Sequence, residues 1–169
     1  MGGPASEHEH FVKKGDFYGS SDASWLLRSI GGYVIMMANG PLDWTVRIFR
    51  VICHSSAEAE IGAASLMHKR LAFVLQLLSD MKLKGLCPVI VFVDNTAALE
   101  LCQKLGVTAK TAHFLRWLYY FRLSVLNKLS VPYFCPTKLM LADSMTKVVD
   151  SATLQQFFDI ILNKKNRLV

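Results

Sequence analysis

Four acids, Asp22, Glu60, Asp94 and Asp143, are the residues of this chain best placed to do chemistry together. Each also has a plain structural reading. Asp22 closes a short strand-like stretch, where Asp is a common turn residue. Asp94 follows the most apolar run, Val89 to Val93, and suits the cap of the helix after it. Asp143 opens a short helical stretch, where its charge suits the helix dipole. Glu58 completes a capping box, Ser55-Ser56-Ala57-Glu58. Glu60 lies about 200° further round that helix, so the two glutamates cannot serve one site. Jointly, two acids come at strand ends and two in first helical turns, in the order Asp, Glu, Asp, Asp. All four can meet at one end of a sheet. Carboxylates packed together raise one another's pKa and need cations, and oxygen ligands suit Mg²⁺ or Mn²⁺. Two such ions ~3.5–4 Å apart activate a water and stabilise the leaving oxygen in phosphodiester hydrolysis.

The charge balance agrees. Nineteen Lys and Arg against thirteen Asp and Glu give a net charge of +6 over 169 residues. Without the four acids, nine acidic residues would face nineteen basic ones, a basic surface around an acidic pocket. Residues 101–140 hold Lys104, Lys110, Arg116, Arg122, Lys128 and Lys138 and no acid. A polyanion is the partner such a face suits, although a solvated basic face is the simpler reading. The 52% hydrophobic and 19% charged composition excludes a disordered chain. No apolar run nears the ~20 residues of a membrane helix, and the Glu/His-rich start is no secretory signal. Cys53, Cys87, Cys102 and Cys135 form no CxxC pair, which reads as reduced thiols inside a cell.

Elements that position the acids follow from periodicity. Residues 16–22, 32–37 and 44–52 read as strands, with Asn39-Gly40-Pro41 a turn. Three strands with short connections make an antiparallel meander. After the capping box, Ile61, Ala64, His68, Leu71, Leu75 and Leu78 share one helical face, and Lys84-Gly85 marks the helix end. Residues 88–93 read as a strand buried on both faces. Helices over 95–105 and 111–129, a strand over 131–135, and short helices over 139–147 and 152–163 complete the chain. The expectation is an α/β fold, a mixed sheet of three antiparallel and then parallel strands flanked by helices. Its crevice should lie at the carboxyl ends of the parallel strands. Residues 1–14 read as a polar tail, 15–163 as one domain and 164–169 as a basic tail.

Six ordered blocks resemble the ribonuclease H domain of copia-type retrotransposon Pol polyproteins. They are Gly19-Ser20-Ser21-Asp22-Ala23-Ser24-Trp25, Arg28-Ser29-Ile30-Gly31-Gly32-Tyr33-Val34, Gly40-Pro41-Leu42-Asp43-Trp44, Ser55-Ser56-Ala57-Glu58-Ala59-Glu60, Asp94-Asn95 and Leu141-Ala142-Asp143-Ser144-Met145-Thr146-Lys147. The resemblance implies a ribonuclease H-like fold with a five-stranded sheet. It implies cleavage of the RNA strand of RNA–DNA hybrids with two Mg²⁺ ions, Mn²⁺ as substitute. Asp22, Glu60, Asp94 and Asp143 become the catalytic and metal-holding acids. Arg28, Ser56 and Asn95 flank them in the motifs and are candidate substrate contacts. Lys110, His113 and Arg116 join them from the reduced basic run and the helix after it. The chain departs from the family at Ile61, where Tyr is usual, at Leu66, where an acid is common, and at 135–138, which lack histidine. A reverse transcriptase is the implied protein partner, and the implied location is intracellular, in cytoplasm, nucleus or a retroelement particle. No polymerase, protease or integrase segment is read here, so the chain is expected to be a polyprotein piece or a domesticated remnant. The alternatives are an inactive module of the same fold that binds nucleic acid or assembles with a reverse transcriptase, and a nuclease for structured DNA.

Two further readings concern single faces. His113, Arg116, Tyr120, Ser124 and Asn127 share a polar helical face that either tracks a nucleic-acid backbone or is simply solvated, while Leu115, Leu118 and Leu126 pack. His68, on an apolar stripe, reads as a hydrogen-bonded core histidine.

Overall fold

The computed structural model describes residues 17–83, 85–104, 106 and 111–164. The expected tail over 1–14 and all of 164–169 but Lys164 lie outside them. Strands β1 (Tyr18–Ser24), β2 (Ile30–Met37) and β3 (Gly40–Ile48) form the meander. Helix α1 (Ser56–Asp80) leads to β4 (Val89–Val93), then α2 (Thr96–Gln103), a 3₁₀ turn (Ala112–Phe114) and α3 (Leu115–Leu126). After β5 (Ser130–Phe134) come a 3₁₀ turn (Thr137–Leu139), α4 (Asp143–Thr146) and α5 (Ser151–Ile161).

The sheet order is β3-β2-β1-β4-β5. β1 is antiparallel to β2 and parallel to β4, and β4 is parallel to β5. This is the expected mixed sheet. Successive side chains of a strand point to opposite faces, and β1 uses both. A Cβ on Gly19 would lie 2.7 Å from Met67 Sδ of α1, and Ala23 packs with Ala59 and Ala63 of the same helix. On the other face, Ser20 Oγ donates to Met140 Sδ at 2.9 Å and accepts from the Ala142 N–H at 3.3 Å. β1 is thus a spine with α1 on one side and the 137–147 segment on the other.

The main core lies between α1 and the sheet, from Tyr33, Ile35, Met67, Leu71, Val89 and Val91, and between α1, α2 and α3, from Ile61, Ala64, Cys102, Leu118 and Phe121. His68 is buried as expected. Its Nδ1 lies 2.6 Å from the Ala64 carbonyl and its Nε2 3.0 Å from Ser130 Oγ. Burial lowers its pKa to about 4. All four cysteines are unpaired. Among the described residues no helix is long and apolar enough to cross a membrane.

Several boundaries differ from the sequence reading. The hairpin turns at Ala38 and Asn39, which both take positive φ, as a two-residue turn that matches strand twist requires. β3 therefore starts at once and ends at Ile48, four residues early. α1 stops at Asp80. Lys82, at φ 67°, fills the left-handed position that glycine usually takes, and the Leu83 N–H closes back on the Leu78 carbonyl. The expected 111–129 helix is a 3₁₀ turn and a shorter α-helix. The expected 139–147 helix splits, keeping only four residues as α4. The polar face proposed for α3 also breaks. Ser124 is buried against Ser130, with its hydroxyl 3.0 Å from Ser130 Oγ, whereas Leu126, expected to pack, is exposed.

Candidate metal centre

Asp22 does not end its strand. It lies within β1, opposite Gly32 of β2, and is fully buried. Burial raises its pKa, against the pull of Thr146 and Lys147. A buried carboxylate is costly unless partners hold it. Thr146 Oγ1 donates a short bond to Oδ2, and Lys147 Nζ lies 3.1 Å from Oδ1.

Glu60 is in the second turn of α1. The helix starts there because Ser55 caps it, its hydroxyl accepting the Glu58 N–H at 3.1 Å. Glu58 turns the other way. Its Oε2 accepts the His54 N–H at 2.7 Å and meets His113 Nε2 at 3.0 Å. Glu60 Oε1 accepts the Ala23 N–H of β1 at 3.1 Å. Its buried Oε2 has no partner. Burial, then the charges of Asp22 and Asp94, push Glu60 up to about 9.

Asp94 follows the last residue of β4. The cap of α2 is not Asp94 but Asn95, whose Oδ1 accepts the Ala98 N–H at 3.0 Å. Asp94 is left to accept from Thr137 Oγ1 at 3.1 Å. One carboxylate oxygen each from Asp22, Glu60 and Asp94 lie within 4.8 Å of one another. Asp143, the first residue of α4, is outside that trio. It joins it through Lys147, which makes a short bond to Asp143 Oδ1 while touching Asp22. Three carboxylates at this spacing, with one buried oxygen unpaired, fit a hard divalent cation bound by oxygen.

The remaining candidates are not part of this trio. Ser56 is exposed at the first position of α1. Arg28 lines a groove of about 670 Å³ with Arg50, Val51 and Ile52. His113 and Arg116 line one of about 330 Å³ that shares Val51 and Ile52. The two grooves therefore adjoin, beside the start of α1. Lys110 lies outside the described residues. Of the basic residues in 101–140, Arg122 is a core residue: its guanidinium donates to the Leu101 and Gly106 carbonyls at 2.9–3.1 Å.

Thr137, Thr146 and Lys147 had no role in the sequence reading. For Lys147 a signal existed, since it lies four residues after Asp143, the spacing at which helical side chains meet. Thr137 had none, because its partner is 43 positions away.

Comparison with known proteins places this architecture. The chain is similar over most of its length to solved ribonuclease H domains. The N-terminal RNase H domain of rv2228c from Mycobacterium tuberculosis aligns with a TM-score of 0.58 at 13% identity, covering 84% of this chain and 98% of that one. LC11-RNase H1, isolated from compost, aligns at 0.55 with 17% identity, covering 79% and 93%, and its complex with an RNA/DNA hybrid at 0.52 with 18% identity, covering 76% and 92%. The fold is that of ribonuclease H. In sequence, the chain is 24% identical over 159 residues to the retrovirus-related Pol polyprotein from transposon RE2 of Arabidopsis thaliana, and 24% over 158 residues to that from transposon RE1. The match takes in 89% of this chain and 11% of each relative, so the chain spans about a ninth of their length. No family profile matches it. The chain is thus similar in sequence to these retrotransposon Pol polyproteins and in fold to ribonuclease H domains, in line with the resemblance of the ordered motifs.

Proposed function

We propose that this domain hydrolyses the RNA strand of RNA–DNA hybrids with two divalent ions, Mg²⁺ or Mn²⁺, held by Asp22, Glu60, Asp94 and Asp143. The observation that carries this reading is the meeting of Asp22, Glu60 and Asp94 within 4.8 Å, with a buried Glu60 oxygen left unpaired. When bound, such ions supply a nucleophilic water and charge stabilisation of the leaving oxygen. The chain's residues do the rest. The Ala23 N–H fixes one Glu60 oxygen and leaves the other for a cation. Thr137 and Thr146 orient Asp94 and Asp22. Arg28, Arg116 and Lys110 supply positive charge for the phosphates, and Ser56, Asn95 and His113 supply polar contacts. These contacts read backbone and groove shape rather than base sequence. An adjoining or separate reverse transcriptase is the protein partner that this reading proposes, and its setting is intracellular.

One observation favours a second reading, a binding or assembly module that does not cleave. Lys147 already ion-pairs with both Asp22 and Asp143. A labelled hybrid incubated with the protein and Mg²⁺ or Mn²⁺, beside Asp94→Asn, separates the two. The expected outcome is RNA-strand cleavage that falls at least about a hundredfold in the variant, the scale of losing a group needed in the transition state. Hybrid binding without cleavage in the wild type would sink the nuclease reading.

A further inference from the structure

Among the described residues, Lys147 is the only one that ion-pairs with the acidic cluster. Its position is not symmetric. Asp22 has one oxygen on Lys147 and the other on Thr146, and Asp143 has one on Lys147. Neither Glu60 nor Asp94 ion-pairs with this cation, although its charge also acts on Glu60. Glu60 keeps a buried oxygen with no partner, and Asp94 has only a neutral hydroxyl donor in Thr137. The cluster is thus divided into a half that carries its own positive charge and a half that does not. The Lys147 side chain is 34% exposed while that of Asp22 is 0%. The ammonium therefore has a route to solvent that the carboxylate lacks. A lysine is suited to such departure, being a compact charge on a flexible four-carbon stem.

We propose that Lys147 is a built-in counter-ion, holding Asp22 and Asp143 together in the metal-free protein and withdrawing before a divalent cation can bind that pair. This rests on the reading of the four acids as metal ligands. A cation held by Glu60 and Asp94 alone leaves Lys147 in place, whereas one that takes the Lys147-bound oxygen of Asp22, or sits between Asp22 and Asp143, must displace it. Two events of unequal affinity follow, and the weaker is set by Lys147. The residue then has two opposed effects, steadying the fold without metal and weakening metal binding.

The test is calorimetric titration of the full chain with Mn²⁺ and Mg²⁺, without nucleic acid, together with melting temperatures in the presence and absence of metal. Lys147→Met should bind the weaker ion at least about tenfold more tightly, since the competing charge is gone. It should melt lower than wild type without metal and regain the difference at saturating Mn²⁺. Lys147→Arg should stay near wild type in metal-free melting, and so should Lys104→Met, which removes a lysine paired with Glu100 elsewhere. If wild type binds divalent ions and Lys147→Met binds them equally or more weakly, the counter-ion role is overturned and the metal reading survives. If neither protein binds them, both fail. Should Lys147→Met not fold, the wild-type lysine ammonium resonances decide. The Lys147 signal should be sharp and slow to exchange without metal, and should move to the solvent-exposed position on adding Mg²⁺. A signal that saturating Mg²⁺ leaves unchanged overturns the proposal.

Discussion

Asn95 caps α2, and its neighbour Asp94 keeps a carboxylate turned toward Thr137 and the other acids. Adjacent residues of similar shape thus divide two jobs, and sequence alone favoured the wrong one for the cap, since Asp caps helices as well as Asn does. Glu58 and Glu60 were easier, because helix rotation separates them whatever the tertiary structure. His68 was also legible, and it carries a prediction. Its folded pKa, about 4, lies below the ordinary 6.5, so the buried ring is neutral. Above pH 6.5 its contribution to stability is whole. As pH falls from 6.5 to 4 the unfolded chain takes up the proton first, and roughly 3 kcal/mol is lost. Urea unfolding at closely spaced pH values should show this slope in wild type and a shallower one in His68→Gln. Parallel slopes would disprove it.

At the scale of elements, the meander, α1 and the buried β4 were readable because each has a clear period, although the ends of β3 and α1 were not. α4 was not, since four residues make barely one turn and no period can be seen in them. Its place is set by contact. Thr146 reaches Asp22, and Gly32 opposite leaves the room: a Cβ there would lie 2.9 Å from Thr146 Cγ2 and 3.4 Å from the Thr45 carbonyl oxygen. Gly32→Ala should therefore push α4 off β1. We expect a stability loss of about 1–3 kcal/mol, the usual cost of overpacking, and at least about a tenfold loss of hybrid cleavage. Melting temperature and initial cleavage rate measure the two. A variant that melts and cleaves like wild type would show that α4 is not seated through this gap.

Over the whole molecule, the charge balance suits a polyanion but cannot say which bases would meet one. Arg122 is spent on two carbonyls, and Lys104 pairs with Glu100. Arg28, Arg50 and Arg116 stay exposed around the adjoining grooves. If three to five such residues meet phosphates, hybrid affinity should fall roughly a hundredfold from 50 to 200 mM salt. Fluorescence anisotropy with a labelled hybrid gives the slope. A salt-independent affinity would exclude backbone recognition.

The pairing of β1 with β4 joins Tyr18 to Ile90, and Thr146 closes onto Asp22 across 124 positions. A ribosome making this chain releases Asp22, Glu60 and Asp94 long before α4. Until α4 emerges, Asp22 lacks the hydroxyl and the ammonium that hold it. A product stalled or clipped before α4 therefore carries three of the four acids but lacks both side chains that hold Asp22.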